Sequence, residues 1–480
     1  MNLRIFTLLI AILMGQCALS QQKFDIALQK VLQQPDYKNA TFGIHIRNLS
    51  TGETLYNWNG DKRMIPASTL KIVTSAAALE ILGADYRFTT QVGYSGKIRN
   101  KTLTGDLVVV GGGDPALGSQ YFENDYFNPN FLDVWAQKLK AAGISKVEGN
   151  LVLDGSLYDS EKIPPTWIWE DMGNYYGAGA SALTVFDNLF QITFSSPVKA
   201  GKLTKIISVN PEIEGLKIQN EVLSSDLNRD EAYVFGSPLD KIRKITGTIP
   251  KNRRSFTIKA SVQHPEELLA EAFIRHLAKT GIFITGAVKF DKVKPNKFQA
   301  VYIQESPELK DIVKVMNHKS VNLFAEHLVK QLAAVKNGVG NRQAGIEIIK
   351  DFWNSKGIDS DTFFMEDGSG LSHFDAVAPE LFTKILDYMY NQSENKEVFL
   401  ASLPNPGNGT LSGFDSSLFP GYTLCAKSGS MTRIKCYTGY LQLNSGQNVA
   451  FSIMVNQFSG THSQLISNIQ YLLNQIKISF

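Results

Sequence analysis

The sequence predicts an α+β protein whose main domain is an antiparallel sheet assembled from both chain ends and interrupted by a long, mostly β insertion. Three observations carry this prediction. "TFGIHIRNLSTGETLYNWN" (41–59) alternates apolar and polar residues on either side of Ser50-Thr51-Gly52, as a hairpin does. The chain ends strand, strand, strand, helix, in "YTLCAKSG", "KCYTGYLQL", "NVAFSIMVNQ" and "SQLISNIQYLLNQIKI". From about Tyr86 to Lys294 the texture changes to short strand-like runs such as "LTGDLVVVGGG", "KVEGNLVLDG" and "SFTIKASV". The two ends share a style that the middle lacks. The hairpin and the three C-terminal strands therefore belong to one sheet with a covering helix.

The elements follow in order. After the hairpin, "MIPASTLKIVTSAAALEIL" predicts a helix over roughly Ser68 to Leu82, apolar nearly all round and so central. Two helical runs, near Phe131–Ala142 and Glu266–Lys279, interrupt the middle segment. From about Gln299 helical periodicity returns over Leu309–Val335, Arg342–Lys356 and Glu380–Tyr390. At 480 residues the chain exceeds one ordinary core, which predicts two or three domains.

Composition narrows the function classes. With 43% hydrophobic and 19% charged residues the chain reads as globular, not disordered. A net charge of +3 and the lack of any Lys/Arg block argue against nucleic acid as a partner. The 7 His are scattered, with no H-E-x-x-H or paired-Cys spacing, so no metal or other cofactor is expected. "MNLRIFTLLIAILMGQCALSQQ" has an early Arg, an apolar stretch and Ala18-Leu19-Ser20, the pattern of a secretory signal (1–20) cleaved after Ser20. Lipidation at Cys17 is the competing reading, disfavoured by Gln16. No later segment is apolar enough to anchor the chain in a membrane, so an exported, soluble protein is expected. Cys425 and Cys436 then remain, either as a disulfide across a hairpin or as two separate buried thiols.

Three motifs carry the chemistry. Ser68-x-x-Lys71 is not special by spacing, since Ser20/Lys23, Ser196/Lys199 and Ser393/Lys396 repeat it. Its context is special. Ser68 stands at a helix N-terminus, where free N–H groups favour developing negative charge, and Lys71 lies one turn on, on the same face. Burial lowers a lysine's pKa and lets it act as base toward a neighbouring hydroxyl; the bland alternative is a helix cap and a solvated lysine. Ser320-Val321-Asn322 precedes a second amphipathic helix, where both residues could equally be caps. Of two Lys-Thr/Ser-Gly occurrences, Lys279-Thr280-Gly281 ends a helix in the ordinary way. Lys427-Ser428-Gly429 lies between strand-like runs, where a strand edge offers a cation, a hydroxyl and a backbone N–H together. "GGGDPALGS" reads as a tight turn, since it lacks the Gly-Lys-Ser/Thr ending of a phosphate loop.

Taken in order, these motifs match the set of the penicillin-binding and β-lactamase group. With "YYGAGASALTVFDN", "GGGDPALGS", "MEDGSGLS", "LPNPGNGTLSG" and "AKSGSM", the chain resembles the class C low-molecular-mass penicillin-binding proteins, the D-alanyl-D-alanine carboxypeptidase/endopeptidase family. The resemblance spans nearly the whole chain after residue 20. It implies a penicillin-binding/serine β-lactamase-like domain, a five-stranded antiparallel sheet with helices on both sides, formed by 21–85 and 295–480. Domain II (86–185 and 262–294) would be inserted there, with domain III (186–261) nested within it. Two positions depart from the usual pattern: Val321, where many relatives carry Asp, and Ser428, where Thr is usual.

The resemblance also implies roles. Ser68 would attack the carbonyl of the penultimate D-Ala of a peptidoglycan stem peptide, with Lys71 as base. Ser320 would relay a proton to the leaving D-Ala, and Asn322 would hydrogen-bond the substrate's amide backbone. In the Lys427-Ser428-Gly429 strand, Lys427 and Ser428 would hold the terminal carboxylate. The N–H groups of Ser68 and Ser430 would form the oxyanion hole, and β-lactams would acylate Ser68 and stall. Trp169, Asp171 and Tyr176 of "WIWEDMGNYYGA" would engage the free end of the diamino acid, with Leu371 and Met431 as an apolar wall. The competing reading of these five is ordinary interdomain packing. The implied setting is the periplasm. Three rival functions stay open, a β-lactamase, a catalytically silent cell-wall binding module on the same fold, and a peptidase of broader specificity.

Overall fold

The computed structural model describes residues 21–122, 131–294 and 297–480. The segment read as a secretory signal, residues 1–20, lies outside the described residues. The chain forms two compact units, one of residues 1–84, 313–321 and 346–480, the other of 85–312 and 322–345.

The first unit is built on the sheet that the two chain ends predict. Strands β1 (Thr41–Asn48) and β2 (Thr54–Trp58) form the hairpin. Strands β3 (Leu424–Met431), β4 (Ile434–Gln442) and β5 (Asn448–Asn456) come from the other end. The order is β2-β1-β5-β4-β3, antiparallel throughout, with Ile44 opposite Ile453 and Gly439 opposite Phe451. β5 is buried along both faces, which is why "NVAFSIMVN" reads as a continuous apolar run.

Each face has its helices. On one, Phe24, Leu28 and Val31 of α1 (residues 21–32) and Leu465, Ile469 and Leu472 of α6 (His462–Ser479) join Ile44, Phe451 and Ile453 in one core. On the other, α4 (Pro379–Asn391) packs on β1 and β5 and is backed by α2 (Lys71–Leu82). Fully burying each such Leu, Ile or Phe is worth about 1.5–3 kcal/mol, so the sheet is a rigid platform for whatever its edges carry.

Two helices depart from expectation. The predicted Ser68–Leu82 helix starts with a 3₁₀ turn, Ala67–Leu70, and is α-helical only from Lys71. The run predicted over Leu309–Val335 is two helices, α3 (Leu309–Lys319) and Asn322–Asn337. They break at Ser320, whose φ of 57° lies in the left-handed region and cannot continue a helix. The two cysteines are separate buried thiols. The register sets Cys425 opposite Tyr440 and Cys436 opposite Gly429, and burial pushes the thiols up to about 11 and about 12.

The second unit is mostly β. Its five-stranded sheet is mixed: Leu151–Asp154 runs parallel to Leu107–Val110 and to Val288–Phe290, whereas Thr89–Tyr94 and Gln299–Glu305 pair antiparallel. Leu189–Ser196 pairs antiparallel with Lys205–Asn210 and Arg253–Ser261 in a further sheet. Helices Phe131–Ala141 and Pro265–Lys279 pack through Trp135 and Phe273, 5.4 Å between ring centroids. Among the described residues no helix is long and apolar enough to cross a membrane.

Candidate active site

The first unit brings Ser68, Lys71, Ser320 and Lys427 to one end of α2 and the free edge of β3. Ser68 sits, half-buried, in a turn made tight by Ala67, which is fully buried at φ 47°. Two glycines make room for that turn. A Cβ on Gly370 would lie 2.0 Å from the Ala67 carbonyl oxygen, and one on Gly429 would lie 2.6 Å from Pro66 O and 3.1 Å from Ser68 N. A side chain at either position would push the turn, and Ser68 with it, out of place.

Lys71 is fully buried, and its Nζ donates to Ser68 Oγ at 3.0 Å and to Ser369 O at 2.8 Å. That carbonyl is presented by a loop wrapped around one buried carboxylate. Asp367 accepts from the N–H groups of Ser369 (3.0 Å), Gly370 (2.6 Å), Leu371 (3.0 Å) and Ser372 (2.8 Å). Thr74 Oγ1, one turn beyond Lys71 on α2, donates to Gly368 O at 2.7 Å and pins the loop to the helix. A charged carboxylate gathering four N–H donors is a strong local organiser. The Lys71 amine is thereby aimed at Ser68 before any substrate arrives.

Lys427 is also fully buried and donates to Ser320 Oγ at 2.9 Å and to Ser428 O at 2.6 Å. Burial pulls its ammonium well below the usual lysine range, and the charges of Lys71 and Lys435 add to the fall. Two amines in one desolvated pocket resist carrying two protons at once. The helix break at Ser320 is held by Asn317, whose Nδ2 donates to Ser402 Oγ at 3.1 Å and Ser75 Oγ at 3.5 Å; Ser75 Oγ in turn donates to Lys71 O at 2.6 Å. Ser320 and Lys71 are thus tied to the same helix.

β3 is the edge strand of the sheet. The Ala426 N–H faces outward, donating to Pro404 O at 2.9 Å. By the two-residue alternation of a strand, the N–H groups of Ser428 and Ser430 face the same edge. Ser428 is buried and Ser430 exposed; Met431 ends the strand half-buried, and Leu371 is half-buried in the Asp367 loop. Lys279, by contrast, is the last residue of a helix, with Gly281 beyond it at φ 76°.

The other predicted residues cluster in the second unit. Asn322 is the first residue of its helix, and its Nδ2 donates to Tyr176 O at 2.9 Å. The Tyr176 phenol hydrogen-bonds the Asp171 carboxylate. Burial pushes Asp171 up to about 6, the Tyr176 hydrogen bond opposing and the Glu170 charge adding. Trp169, 61% exposed, leans on Phe235 at 5.0 Å between ring centroids. An exposed aromatic face two residues from a buried acid suits a group that carries an ammonium.

Sequence reasoning missed Asp367 and the Ser369 carbonyl. "MEDGSGLS" drew attention only to Leu371, because an Asp-Gly-Ser-Gly run reads as a turn whatever its carboxylate binds.

Comparison with known proteins places these features in a family context. The profile of the D-Ala-D-Ala carboxypeptidase 3 (S13) family matches residues 24–475. A D-alanyl-D-alanine carboxypeptidase of Actinomadura sp. (strain R39) is 28% identical over 454 residues, covering 90% of this chain and 81% of that protein. The crystal structure of penicillin binding protein 4 (dacB) from Haemophilus influenzae superposes with a TM-score of 0.78 at 26% identity, covering 91% of this chain and 95% of that one. The same protein complexed with a novel β-lactam gives a TM-score of 0.75 at 25% identity, covering 94% and 97%.

Proposed function

The chain belongs to the D-Ala-D-Ala carboxypeptidase 3 (S13) family, and on that premise we propose that Ser68 is the nucleophile of an exported serine peptidase acting on peptidoglycan stem peptides. The observation that carries this reading is the 3.0 Å line between Lys71 Nζ and Ser68 Oγ, both held from the backbone around them. Along that line the deprotonated amine takes the hydroxyl proton as Oγ attacks the carbonyl carbon of the penultimate D-Ala. The oxyanion is held by the N–H groups of Ser68 and Ser430, each donor of this kind being worth about 10²–10³ in rate. Ser320, held by Lys427, relays the proton that Lys71 has taken to the departing D-Ala nitrogen, which leaves the amine neutral again. Lys427 and Ser428 take the terminal carboxylate, whose negative charge favours the charged form of Lys427 that burial opposes. Water then hydrolyses the ester, through the same amine as base. Cleavage of peptide cross-links uses the same steps, since the bond broken again follows a D-Ala carbonyl. β-Lactams enter by the same attack and remain as the acyl-enzyme.

To the second unit we assign, on the resemblance, the substrate's amide backbone for Asn322 and the free end of the diamino acid for Trp169, Asp171 and Tyr176. In the first unit, Leu371 and Met431 supply apolar wall. The discontinuous catalytic domain (21–85, 295–480) carrying a two-part insertion remains our reading of the domain plan, with export to the periplasm as its setting.

The test is release of D-Ala from a stem pentapeptide ending in D-Ala-D-Ala, by wild type and by Ser68→Ala. Release that the variant loses supports the assignment, and release that persists in the variant ends it. A second expectation follows from Asp171. Below about pH 6 its carboxyl is protonated and no longer attracts an ammonium. KM for a substrate with a free side-chain amine is expected to rise as pH falls through 6, while KM for the same peptide acetylated on that amine stays level. Equal slopes for the two peptides would remove Asp171 from the specificity site.

A further inference from the structure

The segment "LPNPGNGTLSG" (403–413) has no part in the chemistry above, yet it is fastened to the framework of that chemistry. Pro404 O accepts the outward N–H of Ala426, between Cys425 and Lys427 on β3. Gly409, at φ 51°, passes so close to α3 that a Cβ there would lie 2.7 Å from His318 O. Where this loop meets α3, the helix α5 (Lys396–Ser402) and the start of β3, the first unit holds an open cavity of about 590 Å³. That size is typical of sites for small organic ligands.

Its floor is apolar and aromatic, from Leu400, Leu441, Tyr390 and Tyr440. Three polar features give it a sign. Lys314 and Glu397 line it with opposite charges, and neither is in an ion pair or side-chain hydrogen bond among the described residues. His318 is the third. Its ring also lines the cavity, and its Nε2 is buried without a partner among the described residues. Burial lowers the pKa of this ring, in keeping with a neutral imidazole, so the charges of the lining are those of Lys314 and Glu397.

We propose that this cavity is a second ligand site for a short peptide that carries both a free ammonium and a free carboxylate. Glu397 takes the ammonium and Lys314 the carboxylate, while the aliphatic parts lie on Leu400 and the tyrosines. That such a peptide is a stem-peptide fragment rests on the function proposed above; the ligand class itself follows from the lining. The site adjoins the catalytic frame, since His318 lies two residues before Ser320 and Cys425 two before Lys427.

The probe is the tripeptide L-Ala-γ-D-Glu-L-Lys, which lacks the D-Ala-D-Ala end and is no substrate. It is titrated calorimetrically into the full chain, into Lys314→Met and Glu397→Gln, and into wild type treated with benzylpenicillin. Binding is expected in wild type, weakened at least about tenfold by either substitution and unchanged by penicillin. No binding, binding that both variants keep, or competition by penicillin would overturn the proposal. So would preferential binding of the neutral disaccharide N,N′-diacetylchitobiose. Penicillin labelling of Ser68 in the same samples reads the proposed function separately. Labelling without tripeptide binding removes only the second site, and tripeptide binding without labelling removes only the proposed reaction.

Discussion

Lys71→Arg is expected to lower the rate of β-lactam acylation at Ser68 by about 10³-fold or more while the protein stays folded. Arginine can still donate to Ser369 O, but it does not give up a proton near neutral pH. The loss therefore isolates the role of the amine as base, because the hydrogen bond to Ser369 O is largely retained. Lys71→Ala is expected to be as inactive and also less stable, since it leaves the buried Ser369 carbonyl short of a donor at a cost of about 1–3 kcal/mol. Stopped-flow acylation and thermal unfolding separate the two effects. An arginine variant that acylates within tenfold of wild type would take the base role away from Lys71.

The second large effect is expected at Asp367, which acts by holding the loop that carries the Ser369 carbonyl and the Leu371 N–H. Asp367→Ala strands four N–H groups in a buried loop, each costing about 1–3 kcal/mol if unsatisfied, so this variant is expected to fold poorly. Asp367→Asn is the informative change. One oxygen still serves Ser369 and Gly370, but an NH2 now faces the N–H groups of Leu371 and Ser372, and that half of the loop is repelled. The Ser369 carbonyl then loses its aim at Lys71. Acylation is expected to slow by roughly 10–10²-fold with a shifted pH profile, a signature that lost stability alone would not give. An unchanged pH–rate profile in a destabilised protein would make Asp367 purely structural.

How far the sequence led depends on the range of the forces involved. The five-stranded sheet was legible because each strand writes its two-residue alternation, or its continuous burial, into the local sequence. The mostly β middle was legible for the same reason. The break between α3 and the Asn322 helix was not. Apolar periodicity runs through both helices, and only the left-handed Ser320 backbone, stabilised by Asn317 reaching Ser402 and Ser75, divides them. Ser68, Lys71 and Lys427 could be picked from their contexts, helix start and strand edge. The Ser369 carbonyl that aims Lys71 could not, because it lies 298 residues from Lys71 in the chain. The cysteines illustrate the limit most simply. An eleven-residue spacing fits a cross-strand pair, and a register that sets Cys436 opposite Gly429 leaves the two thiols apart.

The central claim is that Ser68 forms the covalent intermediate. Its most direct measurement is to label the purified protein with a fluorescent penicillin, digest it and map the adduct by mass spectrometry, with Ser68→Ala alongside. A long-lived adduct on the peptide containing Ser68, absent from the variant, is the predicted result. Turnover of the drug with no adduct, or an adduct on another residue that survives Ser68→Ala, would contradict it.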